Sequence, residues 1–271
     1  MSSDQDRAAS AIAALDALPL NELVYATLSI VNIRFPEQRI DRSATAADYA
    51  ITKASSYLTA AELCEERRAA LGTGARLKLA EAEAVKGTAP DAYADAIAEA
   101  KFLTAEAEVE WHFFTICART IQQMLEVATT LVGVELDVEH ADNLGSYGSL
   151  RNQFEHLKER LVPGVDKRER LILDAKDTTH LLVGFRVDDV GRITVKTATG
   201  NVVCEVNSVG VWNMRQAVEE TFRELHAKCI KLLEEEFAAH PEKIPNANVI
   251  RPGLLSRRRF MNNETGIDNT E

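Results

Sequence analysis

Apolar residues recur every three or four positions along three long segments of the chain, 90–131, 146–162 and 209–238. This spacing matches one face of an α-helix, so each segment is predicted to be a helix that packs an apolar stripe into one core. The stripe residues are Phe102, Val109, Phe113, Ile116, Met124, Val127 and Leu131; then Tyr147, Leu150, Phe154, Leu157 and Leu161; then Val211, Met214, Val218, Phe222, Leu225, Cys229, Leu232 and Phe237. The pattern favours a mainly α protein, a helical bundle.

The first 89 residues are predicted to form a helical N-terminal extension. Two short apolar stretches, 8–18 and 20–33, flank Pro19. A third helical pattern begins after Ser43, a good N-cap residue, and is predicted to stop at Gly72 because glycine commonly ends helices. The Ala/Glu/Lys-rich segment 75–86 should then form a separate helix, either an exposed arm or half of a helical hairpin.

The period changes from helical to two-fold just before the last long helix. Apolar and polar residues alternate at Val183, Phe185 and Val187, and again at Ile193 with Val195 and at Val202 with Cys204 and Val206. Alternation of this kind is typical of strands. Turn residues at 188–191 and 199–201 separate the runs, so the segment at about 180–207 is predicted to be a short three-stranded antiparallel β-meander.

Composition and charge narrow the classes of function. The chain has a net charge of −11, which argues against broad attraction to nucleic acid but allows a local basic site. Asp4 and Asp6 stand where a signal peptide needs positive charge, and no run is long enough to span a membrane, so a cytoplasmic protein is expected. The four cysteines are far apart and lack C-x-x-C spacing, as expected of reduced thiols.

One group of polar residues has the composition of a catalytic site: Arg151, Asn152 and His156, near the start of the second predicted helix. A guanidinium there, beside the free N–H groups of a helix N-terminus, can hold a phosphate in a bidentate contact. Histidine suits acid/base work because its pKa lies near neutral pH. Asn152 and His156 stand one helical turn apart, on the same side of the helix.

The Arg-polar-x-x-x-His motif, near a helix start in a helical bundle, resembles the signature of the HEPN family, which includes metal-independent ribonucleases of toxin and defence systems. The resemblance implies a homodimer in which two copies of Arg151 and His156 line one cleft and act on an RNA phosphate, with Asn152 supporting the site. It covers about 95–240, and the predicted domain is 90–240. No cofactor or metal is expected.

A second interpretation stays open, in which the protein is a non-catalytic helical module for dimerisation or for binding a protein partner. In that case Arg151 and His156 belong to a solvated helix face, where Arg151 pairs with Glu155 one turn away. Three weaker candidates are the Glu108/His112 pair, which is expected to form an ion pair rather than a metal site, His226, and the Arg257–Arg259 run. The polar segment 241–271 is predicted to be a flexible tail.

Overall fold

The computed structural model describes residues 3–34, 41–134, 144, 146–148, 150, 181–182, 185–187, 191–197 and 200–252. Among the described residues, the α-helices with assigned bounds are α1 (Asp4–Asp16), α2 (Leu20–Arg34), α3 (Asp41–Val85), α4 (Pro90–Val132) and α5 (Ser208–Ala239), and the described positions from 144 to 150 are also helical. Two short 3₁₀ helices follow at Pro241–Lys243 and Ala247–Val249. The mainly α fold is therefore confirmed. Within the described residues, no helix combines the length and apolarity that crossing a membrane requires.

The chain divides into two compact units, each built from separate stretches of sequence. The first comprises the described parts of 1–54, 123–137 and 218–271, and the second those of 55–122 and 138–217. Helices α3, α4 and α5 each contribute to both units. The predicted boundaries at residues 89 and 240 do not coincide with this division.

The first unit buries an apolar core between α1, α2 and parts of the three long helices. Leu15, Leu23, Ile51, Leu225 and Phe237 are among its side chains. The predicted tail is wrong for residues 241–252, because Ile244 and Ile250 are buried in this core. A few apolar side chains that are buried in the core are enough to fix a mainly polar segment to the first unit. The remainder of the predicted tail, including Arg257–Arg259, lies outside the described residues.

The second unit contains a hairpin of helices and a small antiparallel sheet. The sheet has the strands β1 (Leu181–Leu182), β2 (Phe185–Val187), β3 (Arg192–Thr197) and β4 (Gly200–Glu205), paired in chain order. The predicted number of three strands is wrong. Within the part of this segment that the structure describes, β3 and β4 form the longest pairing, with Ile193 opposite Cys204, and β1 and β2 have two and three residues.

The predicted helix end at Gly72 is also wrong, since α3 continues through Gly72 and Gly74 to Val85. Of the glycines with positive φ among the described residues, Gly87 (φ 82°) follows the end of α3, whereas Gly72 is absent from that set. A Cβ atom at Gly74 would lie 3.2 Å from Leu103 Cδ1. The glycine therefore serves close packing of α3 against α4 rather than helix termination.

Helix α4 has the predicted length but presents a different face to the interior. Phe102, Val109 and Phe113, taken from the sequence as core residues, are 61%, 53% and 51% exposed. The buried side chains of α4 are Ala96, Ala100, Ala107, Trp111, Phe114, Thr115, Cys117, Ala118, Ile121, Leu125, Ala128, Thr129 and Val132. In α5, by contrast, the predicted residues Met214, Val218, Leu225, Cys229 and Phe237 are all buried, as expected.

Candidate functional site

The three residues of the predicted site, Arg151, Asn152 and His156, lie outside the described residues. The chain that leads to them is described at five positions from 144 to 150, all helical. Leu144, Tyr147 and Leu150 are buried, with exposed fractions of 0%, 3% and 0%. Tyr147 and Leu150 are the first two positions of the predicted stripe, so the described part of this segment agrees with its predicted helical period.

Tyr147 attaches this segment to the second unit through both its ring and its hydroxyl. The ring lies 6.0 Å from that of Phe114 on α4, tilted by 54°. The hydroxyl donates a hydrogen bond to the main-chain carbonyl of Glu205 in β4. Burial raises the pKa of Tyr147 well above its usual value, and the nearby Cys204 and Glu205 raise it further. The side chain is therefore a neutral donor at any physiological pH.

Polar contacts around Glu205 continue this attachment to the start of α5. The Glu205 carboxylate accepts hydrogen bonds from Arg192 Nε at 2.6 Å and from Asn207 Nδ2 at 2.7 Å. The Asn207 side-chain oxygen in turn accepts from the backbone N–H groups of Val209 and Gly210. Asn207 therefore caps the N-terminus of α5, where main-chain N–H groups lack helical partners.

Gly210 allows the first turn of α5 to approach β4. A Cβ atom at this position would lie 2.0 Å from the Glu205 carbonyl oxygen and 2.8 Å from the Tyr147 hydroxyl. Both distances are shorter than any real carbon contact, so only glycine fits. The absence of a side chain lets the first turn of α5 lie close to the carbonyl that accepts the hydrogen bond of the tyrosine hydroxyl.

Arg119 of α4 lies against the same segment on another side. A Cβ atom added at Gly148 would be 3.5 Å from both Cδ and Nε of Arg119 and 3.7 Å from its Cζ. Arg119 is partly buried, and its NH1 group donates a hydrogen bond to Gln122 Oε1 at 2.7 Å. Sequence reasoning did not single out this residue, because neither periodicity nor a motif links position 119 to position 148.

All four cysteines are free and buried. Burial raises the pKa of Cys204 to about 11, although a hydrogen bond from Ser146 opposes the shift. Cys64 and Cys117 interact with each other within the second unit, and their pKa values are raised to about 11 and about 12, chiefly by burial. Thiols with such pKa values are almost wholly protonated at neutral pH and are poor nucleophiles.

The other candidates from the sequence that lie among the described residues are Glu108, His112 and His226. Burial raises the pKa of Glu108, and the ring of His112 lies 6.1 Å from that of Phe113. His226 Nε2 lies 3.0 Å from Asp16 Oδ1 at the surface of the first unit, so it forms an ion pair there when protonated. In the described part of the chain, no three His, Cys, Asp or Glu side chains converge in a way that could hold a metal ion.

Comparison of the chain with models of protein families, with curated proteins and with solved structures finds no match. The assignment of a function therefore rests on the residues themselves.

Proposed function

We propose that the protein is a HEPN-like, metal-independent endoribonuclease of the toxin or defence type. The observation that supports this is the burial of Tyr147 and Leu150 immediately before the Arg151-Asn152 pair. A preorganised site needs rigid support, and in this proposal the anchored positions Tyr147 and Leu150 supply it. We also place the protein in the cytoplasm, where four buried free thiols stay reduced.

In this proposal each residue of the motif has a separate task. Arg151 neutralises the scissile phosphate through its planar guanidinium, which matches two phosphate oxygens at once. His156 transfers a proton at the reacting centre, because imidazole exchanges protons near neutral pH. Asn152 orients the histidine from one helical turn away. No step requires a metal ion.

The test is incubation of the purified protein with mixed RNA in the presence of a chelator, next to an Arg151→Ala/His156→Ala double variant. We expect the wild-type protein to cleave and the double variant to be inactive. His156→Ala alone should abolish cleavage, and Arg151→Lys should also fail because a point charge lacks the bidentate fork. Activity that disappears with chelator, or that persists in His156→Ala, would contradict the proposed mechanism.

The proposal includes a homodimer, and α4 offers a surface for a second copy of the chain. The exposed fractions of Phe102, Val109 and Phe113 are 61%, 53% and 51%. Since a fully exposed aromatic side chain has about 150–250 Å² of surface, the three together expose roughly 300 Å² of apolar surface. Patches of this size on a monomer are often functional. A stable interface needs about 800 Å² per partner, so these three residues, the α4 stripe, supply its apolar centre.

Light scattering at tens of micromolar protein tests the dimer. We expect a dimer for the wild-type chain and a monomer for Phe102→Ser/Phe113→Ser. Leu77→Ser is the matched control, since Leu77 is also 61% exposed but lies on α3. A monomeric wild-type protein, or a double variant that dimerises as well as wild type, would exclude this interface.

The exposed α4 stripe also favours a second candidate function, a non-catalytic module that dimerises or binds a protein partner. It differs from the first candidate in one measurable respect. The module requires the α4 stripe but not the motif, so loss of dimerisation with Phe102→Ser/Phe113→Ser and absence of cleavage by the wild-type protein would together support it.

A further inference from the structure

Two cysteines from different helices meet inside the second unit. Cys64 of α3 and Cys117 of α4 are 8% and 5% exposed, and both are free thiols. The two thiols form a hydrogen bond with each other, and the Cys64 thiol also forms one with the Glu110 carboxylate. Cys204 and Cys229 differ, because their hydrogen bonds go to hydroxyl side chains. Cys64 and Cys117 are therefore a pair in direct contact.

The packing of α3 against α4 independently places these cysteines close together. Three contacts share one antiparallel register between the helices: Lys78 with Glu99, Gly74 with Leu103, and Arg67 with Glu110. From each contact to the next, α3 moves back by as many residues as α4 moves forward. Continuing this register one turn beyond Arg67 brings Cys64 opposite the turn of α4 that runs from Glu110 to Cys117.

Small buried side chains allow the two helices to lie close to each other. The buried residues of α3 and α4 within the second unit include six alanines: Ala61, Ala75, Ala82, Ala96, Ala100 and Ala107. The axes of packed helices are about 8–10 Å apart, and small side chains favour the lower end of this range. A disulfide needs Cα atoms within roughly 7 Å of each other. Residues that face each other across closely packed helices satisfy this requirement.

We propose that Cys64 and Cys117 form a disulfide when the protein meets a hydroperoxide, and that this bond locks α3 to α4. Cys64 is the more exposed thiol and reacts first. Its sulfur bonds to one peroxide oxygen, the O–O bond breaks, and the departing hydroxide takes the thiol proton to form water. The Cys117 sulfur then attacks the resulting sulfenic acid, so that the S–S bond forms, the S–O bond breaks, and the hydroxyl leaves with the Cys117 proton as a second water. The two thiols lose two electrons, which reduce the peroxide.

The pair is stable as two thiols until oxidant is abundant. Burial and the nearby Glu110 raise the pKa of Cys64 to about 11, although the charge of Arg67 opposes the shift. Burial and the neighbouring thiol raise the pKa of Cys117 to about 12. Because the thiolate is the species that reacts, oxidation is slow at neutral pH and becomes faster as the pH rises. The disulfide therefore forms under sustained exposure to peroxide rather than on brief contact.

The experiment treats the purified full chain with hydrogen peroxide, then denatures and alkylates it and maps its peptides by mass spectrometry without reduction. We expect one pair of peptides joined through Cys64 and Cys117, two hydrogen atoms lighter than the free peptides together, with Cys204 and Cys229 alkylated. Because the bond closes a long loop, it should raise the melting temperature by at least about 5 °C. Dithiothreitol should reverse both changes.

Single-cysteine variants establish the order of the two steps. Cys117→Ser should leave a sulfenic acid on Cys64 that dimedone traps, whereas Cys64→Ser should leave Cys117 unmodified over the same time. Peroxide should raise the melting temperature of neither variant. Cys204→Ser is the matched control, since Cys204 is also buried in the second unit, and it should form the cross-link at the wild-type rate. If the serine variants misfold, the peptide map of the wild-type protein decides the result.

The other outcomes overturn the proposal in distinct ways. Alkylation of both Cys64 and Cys117 after prolonged exposure shows that no bond forms between them. Oxidation to sulfinic acid without a cross-link, or a cross-link through Cys204 or Cys229, contradicts the pairing. Dimedone on Cys117 in Cys64→Ser contradicts the order of attack. None of these outcomes depends on RNA cleavage, so they leave the ribonuclease proposal to its own test.

Discussion

The Tyr147 hydroxyl donates its hydrogen bond to the main-chain carbonyl of Glu205, 58 residues further along the chain. This contact connects the segment that enters the Arg151/His156 motif with β4 and, through Gly210, with the start of α5. Because this hydrogen bond is part-buried, water compensates only in part when the carbonyl loses its donor. The hydroxyl is therefore expected to contribute measurably to stability.

Tyr147→Phe removes only this hydroxyl. We expect the free energy of unfolding to fall by about 1–3 kcal/mol, the usual range when a buried polar group loses its partner. Urea unfolding followed by circular dichroism measures the change. Tyr49→Phe is the matched control because Tyr49 is 57% exposed, and it should differ from wild type by less than about 0.5 kcal/mol. Equal stability of the two variants would show that the Tyr147 bond adds nothing.

Two glycines should respond to alanine in opposite directions. Gly210→Ala should destabilise the protein severely, because its Cβ atom would overlap the Glu205 carbonyl oxygen at 2.0 Å. Gly72→Ala should stabilise it by about 0.5–1 kcal/mol, since Gly72 lies inside α3 with no atom within 4 Å of a Cβ. Thermal unfolding of both variants tests the pair. A lower melting temperature for Gly72→Ala would contradict the continuous α3.

The difference between these glycines shows what local sequence can and cannot predict. Periodicity predicts that α4 and α5 exist and where they end, because an apolar stripe extends along each. Whether Gly72 ends a helix depends on packing elsewhere: Gly74, two residues later, lies against Leu103 of the neighbouring helix. The contact between Tyr147 and Glu205 joins distant parts of the chain, and no sequence period encodes it.

The face of α4 was mispredicted for a related reason. Large apolar residues mark one stripe in the sequence, yet the buried face contains many alanines, among them Ala107, Ala118 and Ala128. Small residues let helices approach closely, but they contribute little to a hydrophobic pattern that is read from the positions of large apolar side chains.

The motif Arg151, Asn152 and His156 lies outside the described residues, so its role in catalysis is a prediction from sequence.

Adjacent phenylalanines of α4 test the corrected face. Phe114 is 1% exposed and Phe113 is 51% exposed. Phe114→Ala should reduce the free energy of unfolding by about 3–5 kcal/mol, the usual cost of emptying a buried aromatic site. Phe113→Ala should change it by no more than about 0.5 kcal/mol in the monomer. Urea titration of both at low protein concentration distinguishes them, and the reverse order of effects would restore the face predicted from sequence.

The last prediction concerns Cys229, which is fully buried in the core of the first unit. Burial raises its pKa from 9.0 to about 11, although a hydrogen bond with Thr27 opposes the shift. The folded state therefore holds the thiol proton more tightly than the unfolded state does. This contribution is fully present below pH 9 and is lost as the pH rises through the folded pKa near 11.

The free energy of unfolding is measured against pH for the wild-type protein and for Cys229→Ala. The stability advantage of the wild type should stay constant below pH 9 and shrink by an amount on the order of 2 kcal/mol toward pH 11. Leu233→Ala is the control, because Leu233 is equally buried one turn further along α5 and does not titrate. Its cost should be the same at every pH. If the Cys229→Ala difference is also independent of pH, the thiol does not titrate with the raised pKa on which this prediction depends.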